Sequence, residues 1–271
     1  MRSGNGETDD VSELGADAAP AATCWRVSEW DAIPQLVHGF LGRAHGLGPG
    51  AFDLDLIRAR LIDAGETPLL VLAARQVHAA AVLSPEDPAW AGLDWHDPAE
   101  RLPAGDALVT ASADVILTIR TADCVPILLV APGARAVAAV HAGWRGLLAG
   151  VVERSVAALG ERYGARPATI EAALGPAIGA CCYEFGAEHQ QRFVARYGAT
   201  AATAWRPGSS ERGHLDVRSL AALALRTAGL NPRAIRTLGP CTAEHLETLH
   251  SYRRDGARAG RQLSYIGWRA D

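Results

Sequence analysis

No lysine occurs anywhere in the 271 residues; all 26 basic side chains are arginine. That removes Schiff-base chemistry, an internal pyridoxal phosphate linkage and the phosphate-cradling lysine of a P-loop. Methionine occurs only as Met1, and the 9 histidines never form a His-x-His pair. A blue-copper centre completes two His and one Cys with a weak axial Met, or with Gln or a carbonyl. Multicopper oxidases use His-x-His pairs for their coupled cluster, so copper-oxidase chemistry is disfavoured. No apolar run approaches the roughly 18 residues that span a bilayer. The arginines are scattered rather than blocked and the net charge is -4, so neither a membrane nor a nucleic acid is expected as partner. Cysteine is scarce and odd in number, at Cys24, Cys124, Cys181, Cys182 and Cys241, which points to reduced thiols or metal ligands rather than a disulfide framework.

The hydrophobic content of 49% over this length is enough for one large core. Residues 1–23 are acidic, small and polar, without the basic start or apolar middle of a signal peptide. They read as a disordered tail ahead of a single catalytic domain over 24–271, on a cytoplasmic protein. Continuous apolar runs at Pro68–Ala74, Val115–Ile119, Pro126–Ala131, Ala136–Val140 and Ile170–Leu174 predict strands buried on both faces. Helical spacing predicts helices over Leu147–Tyr163, Val217–Ala228 (with Asp216 as N-cap) and Gln190–Tyr197. The fold class is therefore α/β or α+β, a single layered domain whose buried sheets are covered by helices.

Three of these segments end in a soft or borderline metal ligand: His78 in "LAARQVHAAAV", Cys124 in "TIRTADCVPILL" and His141 in "AVAAVHAGWRG". Cys124 and His141 are placed on neighbouring strands, and His78 lies too far upstream for a local zinc-finger spacing. If the three strand ends converge, two imidazoles and a thiolate make a tetrahedral zinc site with its fourth position open. Each residue also has an ordinary alternative, a turn histidine or a small buried thiol. Cys181 and Cys182 are not expected to share that role, because adjacent side chains of a strand point to opposite faces. The segment Gly143-Trp144-Arg145-Gly146 opens a helix, where free N–H groups beside Arg145 can meet an anion. The charge-assisted contact of Arg145 outweighs the terminus alone.

The motifs "RQVH", "GDALVT", "TADCVPILL", "HAGWRGLLAGVV", "ALGPAIGACCYEF" and "SYRRDGARAGRQ" occur in that order. Together they resemble the laccase-domain purine nucleoside phosphorylases, the YfiH-type proteins often labelled polyphenol oxidases. The resemblance runs from "HGFLGR" at residues 38–43 to "LSYIGW" at 263–268. It implies a YfiH-like, cysteine-hydrolase-like layered fold and zinc held by His78, Cys124 and His141. It also implies phosphorolysis of adenosine, inosine or guanosine, with adenosine deamination and methylthioadenosine cleavage as further activities. Purine nucleosides and inorganic phosphate are then the partners of a monomer or small homo-oligomer. Arg145 and Arg43 are candidate cations for the phosphate, and Gln76, beside His78, joins them as a substrate-binding candidate. Asp123 and Glu184 are the carboxylates expected to shuttle a proton. Two rivals stay open: a metal-independent hydrolase with Cys124 as nucleophile and His141 as base, for example in editing peptidoglycan precursors, and a binding module with zinc as a structural plug, against which three ligands rather than four argue.

Overall fold

A computed structural model of the chain describes residues 23–50, 53–67, 70–92, 101–208 and 211–270. The N-terminal tail expected over residues 1–23 lies outside these, save for Thr23, whose carbonyl accepts from the Gly42 N–H at 2.7 Å. The described residues build two large sheets, each formed where β-branched and leucine-rich segments pair.

The first sheet brings together β1 (Cys24–Trp25), β2 (Leu36–Leu41), β3 (Leu70–Ala73) and β6 (Val115–Thr121) with the late strand β14 (Gln262–Trp268), in the order β1-β2-β14-β6-β3. The second contains β4 (Val82–Leu83), β5 (Ala107–Thr110), β7 (Val125–Ala131), β8 (Ala136–Ala142), β9 (Glu171–Leu174) and β13 (Ile235–Thr237), in the order β13-β9-β7-β8-β5-β4. A small third sheet joins β10 (Glu184–Gly186), β11 (Trp205–Pro207) and β12 (Arg212–Leu215). Parallel and antiparallel pairs are mixed in both large sheets.

Side-chain alternation along β7 and β8 explains the layering. Val125, Ile127 and Leu129, with Ala136, Ala138 and Val140, join a core with helix residues such as Val156, Leu159, Leu220 and Leu225. Leu128, Val130, Val137 and Ala139 face the other way and meet Phe40, Leu117, Ile119 and Ile266 of the first sheet. The far side of that sheet, through Val71, Ile116 and Tyr265, is covered by Ile57 and Leu61 of α1 (Leu54–Asp63). The order of layers is helix, sheet, sheet, helices. Burying a leucine such as Leu128, which is fully covered, contributes roughly 1.5–3 kcal/mol, and both faces of β7 collect this gain.

The second sheet is covered by α2 (Trp144–Ala149), α3 (Val151–Tyr163) and α5 (Val217–Thr227), with α4 (Glu188–Tyr197) beside them. The single helix expected over Leu147–Tyr163 is two helices, because Gly150 sits between them at φ 86°, where the chain turns out of the helix. α5 agrees with its expected span, and Asp216 caps it by accepting from the Ser219 N–H at 3.0 Å. α6 (Tyr252–Asp255) is a single turn in the "SYRRD" segment. No helix of the described residues is long and apolar enough to cross a membrane.

Candidate metal centre

Strand register brings two of the three expected donors together. β7 and β8 pair antiparallel with Pro126 opposite His141, which sets Cys124, one step before β7, beside the end of β8. The loop after β3 carries His78 to the same place from the other sheet. The ligand atoms of His78, Cys124 and His141 lie within 4.8 Å of one another, and the Cys124 sulfur is 3.8 Å from Nε2 of His78. The rings of His78 and His141 meet edge to face at 4.7 Å. A tetrahedral zinc ion with bonds of about 2.0–2.3 Å has ligand–ligand edges of roughly 3.5 Å, so this group needs little movement to close on one ion.

Asp106, a residue that sequence reasoning missed, holds the arrangement. Its buried carboxylate is 2.8 Å from Nδ1 of His141 and accepts backbone N–H groups of Val77 at 3.2 Å, His78 at 2.9 Å and Ala79 at 2.7 Å. One carboxylate therefore turns the His141 ring and shapes the loop that presents His78. A carboxylate on the nitrogen away from the ion is the usual way a ligand histidine is oriented. The available signal was "GDALVT", an acidic residue opening an apolar run.

Backbone conformation adds to the picture. His78 has φ 60° and Asp123 has φ 90°, left-handed values that side chains rarely adopt, so the surrounding contacts hold both residues there. Gly143 has no side chain for a different reason. A Cβ on it would lie 2.9 Å from the Cys124 sulfur and 3.1 Å from Cδ2 of His78. The close approach of this backbone to Cys124 and His78 requires that glycine.

The electrostatics favour an ionised thiol. Burial alone would raise Cys124, but the charges and hydrogen bonds of His141 and His78 bring it down to about 6. Burial alone would lower His141, but Cys124 and then Asp106 push it up to about 9. A thiolate at neutral pH is the form that binds a metal or attacks a substrate.

The other expected residues have varied partners, and Arg43 and Glu184 make no contact with this group. Arg145 stacks over Trp144 at 4.7 Å, at the start of a helix only six residues long. The charges of Arg145, Cys124, Asp123 and Arg253 all act on Tyr183, whose hydroxyl is pushed up first by burial and then by the thiolate. Arg253 lies 5.0 Å over the Tyr183 ring, and neither residue was singled out from the sequence. Gln76 spends its amide on the backbone of β6, donating to the Arg120 carbonyl at 2.7 Å and accepting from the Arg120 N–H at 2.9 Å. Asp123 accepts from the Thr242 hydroxyl and the Arg253 N–H, both at 2.6 Å. Glu184 pairs with Arg212 and lines a cavity of about 630 Å³ with Phe185 and Glu188. Arg43 donates to the Leu246 carbonyl at 3.0 Å and acts on His250.

Cys181 and Cys182 require a correction. They sit in a turn rather than a strand, so adjacency does not send their sulfurs to opposite faces. Both sulfurs gather with the Cys241 sulfur and a Glu244 oxygen within 4.8 Å of one another.

The family model described as multi-copper polyphenol oxidoreductase laccase matches residues 55–269. A Xylella fastidiosa (strain Temecula1) protein named purine nucleoside phosphorylase is 41% identical over 169 residues, 61% of this chain and 62% of that protein. The chain thus spans about three fifths of the length of that relative. A second protein of that name, from Xylella fastidiosa (strain 9a5c), is 35% identical over 232 residues, 84% of each chain. Among solved structures, YfiH of Bacillus licheniformis has a TM-score of 0.80 at 25% identity, covering 93% of this chain and 98% of its own. YlmD of Geobacillus stearothermophilus has a TM-score of 0.78 at 29% identity, covering 88% and 93%. By sequence and by fold, this chain belongs to the laccase-domain family of YfiH- and YlmD-type proteins.

Proposed function

We propose that the chain is a zinc-dependent purine nucleoside phosphorylase acting on adenosine, inosine or guanosine, with adenosine deamination and methylthioadenosine cleavage as side activities. The observation that carries this reading is the three-donor group of His78, Cys124 and His141 with Asp106 behind it, in a chain whose relatives bear that name over most of their length. The donors fit the ion: one soft thiolate and two imidazoles, with Gly143 where any larger residue would press on the thiolate. Bound there, zinc supplies a Lewis acid for an oxygen of the substrate.

The protein's own residues account for the rest. In phosphorolysis a phosphate oxygen forms the bond to C1′, the bond from C1′ to the purine nitrogen breaks, and that nitrogen takes a proton. With no lysine in the chain, the cation for the incoming phosphate is an arginine, and Arg145 acts on the same tyrosine as the Cys124 thiolate. Tyr183, kept protonated by burial and by that thiolate, is a hydroxyl we assign to hold the substrate by hydrogen bonding, and the purine nitrogen takes its proton from solvent. Asp123 is a positioning residue, because both carboxylate oxygens are spent on Thr242 and Arg253. Gln76 positions the His78 loop against β6. Glu184 and Arg43 are given no direct part.

A second reading rests on the order Cys124–His141–Asp106, the sequence of nucleophile, base and orienting carboxylate in a thiol hydrolase. The two are separated by elemental analysis of protein purified without added metal, combined with an inosine assay run with and without phosphate. The phosphorylase reading expects one zinc at the three donors, hypoxanthine released only with phosphate, and residual occupancy of that site and turnover in Cys124→His and Cys124→Asp, while His78→Ala loses the zinc of that site and turnover. Full activity in metal-free protein, with His78→Ala active and both Cys124 variants dead, establishes the hydrolase instead.

A further inference from the structure

A second group of donors lies away from the first. The turn at Cys181 and Cys182 and the segment around Cys241 are far apart along the chain. A parallel bridge between Ala177 and Cys241 holds them together, with the Thr242 N–H donating to the Ala177 carbonyl at 3.1 Å. Thr242 is tied in turn to Asp123 through its hydroxyl. The sulfurs of Cys181, Cys182 and Cys241 and one carboxylate oxygen of Glu244 all lie within 4.8 Å of one another.

Two details show that the sulfurs are held rather than merely adjacent. The Gly179 N–H donates to the Cys241 sulfur at 3.2 Å, and the Cys181 thiol donates to Oε2 of Glu244 at 3.1 Å. The backbone N–H aimed at the Cys241 sulfur favours its thiolate, as outer contacts do around ligating groups generally. Gly179 also leaves the room: a Cβ there would stand 3.0 Å from the Cys181 sulfur and 3.5 Å from that of Cys241. A cavity of about 340 Å³, lined by Cys181, Cys241 and Glu244, gives an ion access from solvent.

We infer that Cys181, Cys182, Cys241 and Glu244 form a second metal site, specific for a soft divalent cation of the zinc class. Burial and the Glu244 carboxylate push the Cys181 thiol up, and burial does the same to Cys182, so the ion binds by displacing their protons; three sulfur donors then select against magnesium and calcium, which prefer oxygen. Four protein donors leave no open position, so the ion here is structural: it pins the 181–182 turn to the 241–244 segment. That pin is mechanically linked to the first site, because Asp123 precedes Cys124 and binds Thr242, next to Cys241. The reading is independent of the reaction catalysed.

The test uses the full chain loaded with zinc, stripped of excess and analysed for metal, alongside counting of thiols that react with an aromatic disulfide reagent. We expect two zinc ions per chain in the wild type, one in the double variant Cys181→Ser with Cys182→Ser, and one in His78→Ala. Glu244→Gln, a milder change, should release the second equivalent to a chelator first. Zinc should also shield Cys181 and Cys182 from the reagent while the exposed Cys24 still reacts. A wild type holding one zinc, unchanged in the double Ser variant and lost in His78→Ala, overturns the proposal. So does full reactivity of Cys181 and Cys182 at saturating zinc, or their isolation as a disulfide from protein purified under reducing conditions.

Discussion

At the scale of single residues, Asp106 and Gly143 do more for the centre than their chemistry in isolation suggests. Asp106 serves three backbone N–H groups and His141 with one carboxylate. Asp106→Asn keeps the size but gives up the charge, and it presents an N–H where an acceptor is needed. Loss of such an orienting partner typically costs about 10–100-fold in metal affinity. Zinc competition with a coloured chelator should show a drop of that order, with the folded far-ultraviolet spectrum retained; unchanged affinity would show that His141 needs no orientation. Gly143→Ala attacks the space instead. Its Cβ meets the Cys124 sulfur at 2.9 Å, which is closer than such contacts tolerate, so the thiolate or the strand end must move. The expected result is loss of the metal at the three donors and of turnover together, at a melting temperature near that of the wild type.

At the scale of elements, the site depends on where helices stop. The break at Gly150 allows α2 to begin at Trp144, directly after β8, and then lets α3 run off across the second sheet. A longer straight helix from Leu147 could not serve both ends. Gly150→Ala forces a side chain into φ 86°, at a cost of about 1–2 kcal/mol for the left-handed conformation. The new Cβ would also fall 2.5 Å from Nη2 of Arg196, a flexible tip that can move aside, although it pairs with Glu153 at 3.1 Å. Thermal or urea unfolding should therefore show a loss of that size while metal content stays at the wild-type level. A neutral result would mean that the two helices can merge without disturbing the sheet.

At the scale of the whole molecule, buried histidines make the fold sensitive to acid. His38, fully buried on β2, accepts from the Val27 N–H at 2.9 Å and can do so only in its neutral form. Burial, reinforced by Arg26 and opposed by Asp31 and Glu66, lowers it from 6.5 to about 4. His250 is lowered to about 4 as well, by burial and then Arg43. The unfolded chain then binds more protons than the folded one between those limits, so stability rises with pH across the window. It is fully present above pH 6.5 and is lost progressively as the pH falls towards 4. At about 1.4 kcal/mol per pH unit, His38 alone accounts for roughly 3 kcal/mol at most. Melting temperatures measured from pH 7 to pH 4 should fall steeply for the wild type and less steeply for His38→Gln, which keeps an acceptor but does not titrate. Parallel curves for the two proteins would remove His38 from this account.

Local chemistry made much of this legible without coordinates. Continuous apolar runs mark β7 and β8 because strands buried on both faces need no polar alternation, and Asp216 marks the start of α5 because only a cap satisfies its free N–H groups. His78, Cys124 and His141 stand out for the same reason, as donors placed where apolar runs end. Register and layering, however, depend on contacts between residues far apart in the chain. Asp106 became a partner of His141 only when β5 and β8 paired, and Tyr183 and Arg253 met only when their loops folded over the same end of the sheet. Cys181 and Cys182 read as opposed side chains of a strand, yet the turn that holds them gathers their sulfurs with Cys241 and Glu244. A spacing along the chain states which groups are available; only the pairing of distant strands decides which of them share one point in space.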